Sequence, residues 1–173
     1  MLFTVATPDW EPEAEARVQT CRCDNDPQYS LIGPHFTLTF GAPVKQAPCI
    51  EHVRAIACEV SPISFVLRRA QVLTSGPGLA HVFLVPDEGA GALVALHDRL
   101  YSGLLSPWLS RDEAFLPHVT VAAFDHPSSA QVLADRWNAR PFALAGHVRT
   151  LTVGRLVDHR FDVLTQLPLE RRA

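Results

Sequence analysis

Two copies of one short motif carry the residues best suited to chemistry. Pro34-His35-Phe36-Thr37-Leu38 and Pro117-His118-Val119-Thr120-Val121 both read proline, histidine, apolar residue, threonine, apolar residue. Each copy follows a loop and has the alternation of a β-strand. One copy alone is weak evidence, because a histidine at the start of a strand often only bonds a loop carbonyl. Two copies in matching surroundings favour a shared chemical role.

The spacing places an imidazole and a hydroxyl on the same face of each strand. In a β-strand, residues i and i+2 point to the same side, about 7 Å apart. His35 and Thr37 form one pair, and His118 and Thr120 form the other. Two such strands side by side would surround a small tetrahedral anion with two imidazoles and two hydroxyl donors. A phosphate diester fits this arrangement.

Opposed histidines can perform general base and general acid catalysis on such a diester. Free imidazole titrates near pH 6.5, so a neutral and a protonated ring coexist near neutrality without a metal. We therefore predict His35 and His118 as the catalytic residues and Thr37 and Thr120 as phosphate-binding hydroxyls, with no metal and no other cofactor. The residues leave open which histidine is the base.

The elements that must position the two motifs alternate between strand and helix patterns, which predicts an α+β fold. Phe36, Leu38 and Phe40 form the predicted apolar face of the first motif strand. Predicted strands cover 2–6, 35–40, 63–73, 79–85 and 118–124, a turn covers 74–78, and a closing hairpin is made of 142–157 and 160–167. Predicted helices cover 11–21, 47–60, 90–105 and 128–139, the last with Ser128 as its N-cap.

Composition predicts one compact domain over residues 1–173, or two small lobes that pack closely together. The 173 residues are 47% hydrophobic and 19% charged, which excludes a disordered chain. A formal net charge of -3 lacks the broad positive field that binds long nucleic acids. The chain shows no spanning apolar stretch and no secretion signal at its start. We expect a cytoplasmic monomer that binds neither membranes nor long nucleic acid.

The two motifs resemble those of the two-histidine phosphoesterase superfamily, and most closely its 2'-5' RNA ligase-like branch. The residues before each motif, 26–35 and 96–101, are also similar to members of this group. The resemblance implies a bilobal fold of two pseudo-symmetric βαβ-type halves, with antiparallel sheets around a central cleft. It also implies metal-independent hydrolysis of 2',3'-cyclic or 2'-5' linked phosphodiesters, of a small nucleotide or an RNA end, or reversible 2'-5' RNA joining.

The chain departs from many ligase-like relatives around the second motif. Those relatives have arginines on both sides of it, whereas Leu116 precedes it here and Ala122-Ala123-Phe124 follows it. Basic contacts to an RNA chain are therefore missing at these points, which favours a short cyclic or 2'-5' linked substrate and makes RNA ligation secondary. Arg68, Arg69 and Arg149 are the candidates to replace the missing charges.

Other residues of chemical interest have plainer interpretations. His81 and Phe83 share one face of a predicted strand, where Phe83 could stack on a base, although packing in the core is favoured. The acidic residues between 9 and 26 indicate a solvated helix face beside Arg17 and Arg22. The remaining histidines lack metal spacing and are interpreted as surface or hydrogen-bonded residues: His52, His97, His126, His147 and His159.

Two other functions are consistent with the same residues. A non-catalytic module could use the anion pocket to bind a nucleotide or an RNA end without turning it over. A zinc hydrolase could use the histidines as metal ligands, which predicts stoichiometric metal and sensitivity to chelators. Turnover and metal content distinguish these functions from a two-histidine phosphodiesterase.

Overall fold

The computed structural model describes residues 1–75, 78–112, 114–158 and 160–170, without the side chain of residue 75. The strands are β1 (Leu2–Ala6), β2 (Asp9–Trp10), β3 (Phe36–Ala42), β4 (Ile63–Ser75), β5 (Leu79–Glu88), β6 (Val119–Phe124), β7 (Leu144–Val148), β8 (Thr150–Val157) and β9 (Arg160–Pro168). The helices are α1 (Pro12–Asn25), α2 (Gln46–Ala57), α3 (Ala90–Leu100) and α4 (Pro127–Asn138), and a 3-10 helix covers Gly103–Trp108. Among these helices, none has the length and apolarity to cross a membrane.

The strands form two antiparallel sheets, and each sheet ends in one motif strand. The first sheet has the order β3-β1-β8-β9, and the second has the order β2-β7-β4-β5-β6. Strand β3, which follows His35, therefore lies at an edge of the first sheet, and β6, which follows His118, lies at an edge of the second. The predicted α+β fold with two lobes and antiparallel sheets is confirmed.

A continuous apolar core holds both motif strands in register. Phe36 and Leu38 of β3 and Val119 and Val121 of β6 are completely buried. The ring of Phe36 meets the ring of Phe65 edge to face, with centroids 5.1 Å apart, and this contact joins the two sheets. A shift of one residue in either strand would turn these side chains into solvent, so their burial determines which way the histidine and threonine face.

The apolar alternation of the first motif strand ends earlier than predicted. Phe40 is 54% exposed and Thr39 is buried, so the predicted place of Phe40 on the apolar face is wrong. The pairing of β1 with β3 has register irregularities here, which reverse the facing of the later residues. Thr39 Oγ1 accepts a hydrogen bond from the Thr4 backbone N–H at 2.9 Å, which explains a buried hydroxyl in this place.

The predicted strand over 142–157 is wrong, because the chain changes sheets inside it. Strand β7 pairs with β4 in the second sheet, and β8 pairs with β1 in the first. The two strands separate at Arg149, whose side chain is half-exposed and pairs with Asp9 at 3.3 Å. An apolar pattern shows that a segment is a strand but does not show which sheet the strand joins. The two-residue strand β2 was too short to be predicted from the sequence.

Several helix boundaries also differ from the prediction, among them the end of α2, which lies at Ala57 instead of residue 60. The helix predicted over 90–105 ends at Leu100, because Gly103 has a left-handed backbone with φ of 49° and Pro107 follows it. Helix α1 continues to Asn25 instead of ending at residue 21. Helix α4 begins at Pro127 with His126 as N-cap, so Ser128 is not the cap; proline is favoured in a first helical turn. Gly76 and Pro77 of the predicted turn lie outside the described residues.

Candidate active site

His35 stands immediately before β3, and its ring is held by the backbone of its own loop. The Nδ1 atom lies 2.9 Å from the carbonyl oxygen of Gly33. Because a carbonyl only accepts hydrogen bonds, Nδ1 carries the proton and donates it. The neutral ring therefore keeps Nε2 as the nitrogen that can take a proton from another group.

His118 is held in the same way on the other lobe. Its Nδ1 atom lies 2.7 Å from the carbonyl oxygen of Leu116, again two residues earlier in the chain. The same tautomer follows, with Nε2 unprotonated in the neutral ring. The two motifs thus agree in local hydrogen bonding as well as in sequence.

Thr37 and Thr120 occupy equivalent positions in their sheets. Each is partly buried and lies two residues after its histidine. Thr37 is opposite Val5 of β1, and Thr120 is opposite Phe83 of β5. A strand places residues i and i+2 on one face, so each hydroxyl accompanies its imidazole.

The structure brings His35 and His118 within electrostatic range of each other, although they lie far apart in the sequence. Burial is the main reason that the pKa of His118 falls to about 4, and positive charge on His35 and then on His81 lowers it further. The hydrogen bond to Leu116 acts against this shift. Burial also lowers the pKa of His35, with Arg22 adding to the shift and Gly33 and Asp26 opposing it.

A family model described as the 2'-5' RNA ligase superfamily matches residues 10–160. The chain belongs to this superfamily. An Oceanobacillus iheyensis protein named as a candidate phosphoesterase is 30% identical over 149 residues, which make up 84% of this chain and 78% of that protein. A similarly named Bacillus licheniformis protein is 32% identical over 100 residues, or 56% of either chain, so this chain spans about half the length of that relative.

Solved structures match this superfamily member over almost its whole length. The crystal structure of TT0787 from Thermus thermophilus has a TM-score of 0.68 and 20% identity, and the match covers 99% of both chains. E. coli LigT in complex with 3'-AMP has a TM-score of 0.59 and 17% identity, with 97% of both chains covered. These matches establish the shared bilobal fold.

Phe83 is buried, as its interpretation as a packing residue predicts, and it also contacts His118 directly. The two rings are stacked with centroids 3.7 Å apart, and the ring of His81 is stacked with that of Phe83 at 5.8 Å. Phe83 is only 6% exposed, so in this superfamily member it covers the imidazole and offers little free surface to a base. The i, i+2 spacing of His81 and Phe83 was the available signal, but the pairing of β5 with β6 decides what Phe83 touches.

The loop before His35 is held by a buried ion pair that the sequence did not indicate. Arg22 Nε lies 2.7 Å from Asp26 Oδ2, and Arg22 Nη2 donates to the carbonyl oxygen of Ile32 at 2.7 Å. The interpretation of this acidic stretch as a solvated helix face is therefore wrong at Asp26. The i, i+4 spacing of Arg22 and Asp26 could have suggested a pair, but not its burial.

The other histidines considered in the sequence analysis contact different groups. His52 bonds the carbonyl of Leu100 at 2.9 Å, His147 bonds Ser64 Oγ at 3.0 Å, and His97 stacks on Phe115 at 3.9 Å. His126 occupies the N-cap position of α4 without a capping hydrogen bond from its side chain, and His159 lies outside the described residues. Within the part of the chain that the structure describes, no three His, Cys, Asp or Glu residues form a group that could hold a metal ion.

The arginines considered as replacements for missing phosphate contacts are not all available for that role. Arg68 forms an ion pair with Glu88 at 2.6 Å, and Arg149 forms one with Asp9 at 3.3 Å. Arg69 is exposed on β4, opposite Val85 of β5. The arginine that acts on His35 is Arg22 instead, which lowers the pKa of His35 from a buried position.

Proposed function

We propose that this chain is a metal-independent phosphodiesterase that hydrolyses 2',3'-cyclic or 2'-5' linked nucleotide phosphodiesters. The observation that carries the proposal is the matched pair of imidazoles. Both donate Nδ1–H to a backbone carbonyl, at 2.9 Å for His35 and 2.7 Å for His118, and both keep Nε2 for proton exchange. The two rings supply both proton transfers of the reaction, so no Lewis acid is required.

The reaction needs one proton removed and one proton delivered. One imidazole takes a proton from water as its oxygen attacks phosphorus, and the bond from phosphorus to the ribose oxygen breaks. The second ring, as imidazolium, protonates the departing oxygen. The Thr37 and Thr120 hydroxyls donate hydrogen bonds to the nonbridging oxygens, where negative charge increases in the transition state. A proton shift between the rings through solvent restores the starting state.

The surroundings of the two rings favour His118 as the base and His35 as the acid. Phe83 covers one face of His118, and its pKa of about 4 keeps the ring neutral and able to accept a proton at neutral pH. His35 has no stacking partner among the described residues, and its lowered pKa has burial as the main cause. An anionic phosphate between the rings stabilises the imidazolium form, so substrate binding promotes protonation of His35.

A short nucleotide is the substrate class that the surface supports. The net charge is -3, and no arginine flanks the second motif. LigT has been crystallised with 3'-AMP, ATP and NADP+, which are small nucleotides, and it shares this fold. We infer that this chain takes a cyclic or dinucleotide phosphodiester or an RNA end, and that 2'-5' RNA ligation is at most a minor activity.

Turnover of 2',3'-cyclic AMP by the parent and by two alanine variants tests the proposal. His35→Ala and His118→Ala should each lower turnover by about 10² to 10⁴, the usual contribution of one general acid or base. His147→Ala is the matched control, because His147 is only partly buried and bonds Ser64 instead. An active parent with unaffected His35 and His118 variants contradicts the assignment. Binding of the nucleotide without any product from the parent would instead identify a non-catalytic binding module.

A further inference from the structure

Arg22, in the last turn of α1, is buried between the helix end and the loop that leads to His35. Its side chain is 2% exposed, and that of its partner Asp26 is 3% exposed. Nε binds the Asp26 carboxylate at 2.7 Å, and Nη2 binds the carbonyl oxygen of Ile32 at 2.7 Å. One guanidinium therefore connects the start of the loop with its end.

The same loop carries the hydrogen bond that orients the His35 ring. The second carboxylate oxygen of Asp26 accepts the backbone N–H of Gln28 at 2.9 Å, which shapes the start of the loop. Ile32, which Arg22 holds, is followed directly by Gly33, whose carbonyl binds His35 Nδ1. Movement of Ile32 would therefore move the acceptor that sets the ring angle.

Arg22 also acts on His35 through its charge. Among the described residues, the charged groups that act on His35 are Arg22 and Asp26 at the end of α1, and His35 in turn acts on His118 of the other lobe. Arg22 disfavours the imidazolium form of His35, and Asp26 favours it. Nη1 of Arg22 is buried without a hydrogen-bond partner among the described residues. A buried unpaired donor is unfavourable for folding, so stability alone does not explain an arginine here.

We propose that Arg22 is a positioning residue for His35: it holds the loop over residues 26–34 and thereby sets the place and angle of the imidazole for proton transfer. This inference rests on the proposed function, in which His35 exchanges a proton with the substrate. Arg22 itself does not touch the reacting atoms.

Three substitutions separate the hydrogen bonds of Arg22 from its charge. Arg22→Lys keeps the charge but replaces the planar fork with a single ammonium, which does not reproduce both contacts. Arg22→Gln removes the charge as well. Asp26→Asn keeps the size and an acceptor oxygen but removes the negative charge that favours imidazolium.

Turnover of 2',3'-cyclic AMP measures the positioning. Arg22→Lys and Arg22→Gln should lower kcat by about 10² while KM stays near that of the parent, because a misplaced acid slows the chemical step and leaves ground-state binding unchanged. Arg54→Gln is the matched control, since Arg54 forms an exposed pair with Glu51 on α2. Parent-like kcat in both folded Arg22 variants overturns the inference.

An NMR titration of the histidine ring protons measures the charge effect without any substrate. The pKa of His35 should stay near the parent value in Arg22→Lys, rise in Arg22→Gln and fall in Asp26→Asn. The His52 resonance is an internal control, because His52 lies against Leu100. A purely structural role for Arg22 does not give shifts of opposite sign from the two charge changes.

Each outcome decides either the inference or the proposed function. If Arg22→Gln does not fold, the NMR titration of Asp26→Asn tests the inference in its place. An unchanged or raised pKa of His35 in Asp26→Asn overturns the inference. If the parent turns over no cyclic or 2'-5' linked substrate, the proposed function fails. The titration then still shows whether Arg22 and Asp26 control His35.

Discussion

The ring of Phe83 lies on the imidazole of His118, with centroids 3.7 Å apart and planes 16° from parallel. This contact excludes water from one face of the imidazole, and burial is the main cause of its lowered pKa. The proposed base is thus kept neutral by an aromatic neighbour on the adjacent strand.

Phe83→Ala should raise the pKa of His118 toward its ordinary value, because water gains access to the ring. A base is active only when unprotonated, so the acid limb of kcat/KM should move to higher pH. The profile is measured below the melting temperature of the variant, since loss of a buried phenyl ring costs about 3–5 kcal/mol. Phe142→Ala is the control, because Phe142 packs on Trp137 instead. An acid limb that shifts equally in both variants contradicts a specific role of Phe83.

The roles of the two histidines should separate with the leaving group. A p-nitrophenyl phosphodiester releases a stable phenolate that needs no general acid. His35→Ala should therefore lose about 10² to 10⁴ in kcat on 2',3'-cyclic AMP and much less on the nitrophenyl ester, whereas His118→Ala should lose activity on both. If His118→Ala instead keeps most of its activity on the nitrophenyl ester, His118 is the acid and His35 is the base.

The two threonines should act through their hydroxyls. Thr37→Val and Thr120→Val keep the shape of the side chain and remove the donor, and each should lower kcat by about 10² to 10³, the usual cost of one donor to transition-state charge. Thr37→Ser and Thr120→Ser are the matched controls and should retain most activity. A loss in the serine variants with parent-like activity in the valine variants would show that the methyl group matters, not the hydroxyl.

Acid should destabilise the protein partly through His118. The folded state binds this proton only near pH 4, whereas the unfolded chain binds it near pH 6.5. Between these values the unfolded state holds more protons, so the free energy of unfolding decreases as the pH falls. His118→Gln should show a smaller decrease in melting temperature from about pH 6.5 to about pH 4 than the parent. A decrease as large as that of the parent excludes this contribution.

Two glycines at the start of α3 should respond in opposite directions to alanine. Gly89 has φ of 82°, and an added Cβ would clash with the carbonyl oxygen of Ser64, so Gly89→Ala should cost at least about 1–3 kcal/mol. Gly91, inside the helix, has nothing within 4 Å of an added Cβ. Gly91→Ala should stabilise the protein by up to about 1 kcal/mol. Chemical denaturation checks both, and similar effects in the two variants contradict the strain at Gly89.

The motif strands could be predicted from the sequence because their information is local. Alternation within each motif places His35 with Thr37 and His118 with Thr120, and the buried Phe36 and Val119 face the other way. Strand and helix types followed from the same kind of periodicity. The change from one sheet to the other at Arg149 could not be predicted from periodicity. Strands β7 and β8 have similar patterns and differ only in their distant partners.

The amino-acid sequence by itself determined which four side chains face together in pairs, and it predicts the kind of anion that they would bind. Only the tertiary structure decided what surrounds those pairs: Phe83 on His118, and the buried Arg22 with Asp26 beside the His35 loop. Pairing between strands and burial of charge depend on residues that are distant in the chain. The shifted pKa values of both histidines follow from that burial and those neighbours, and local spacing carries no information about them.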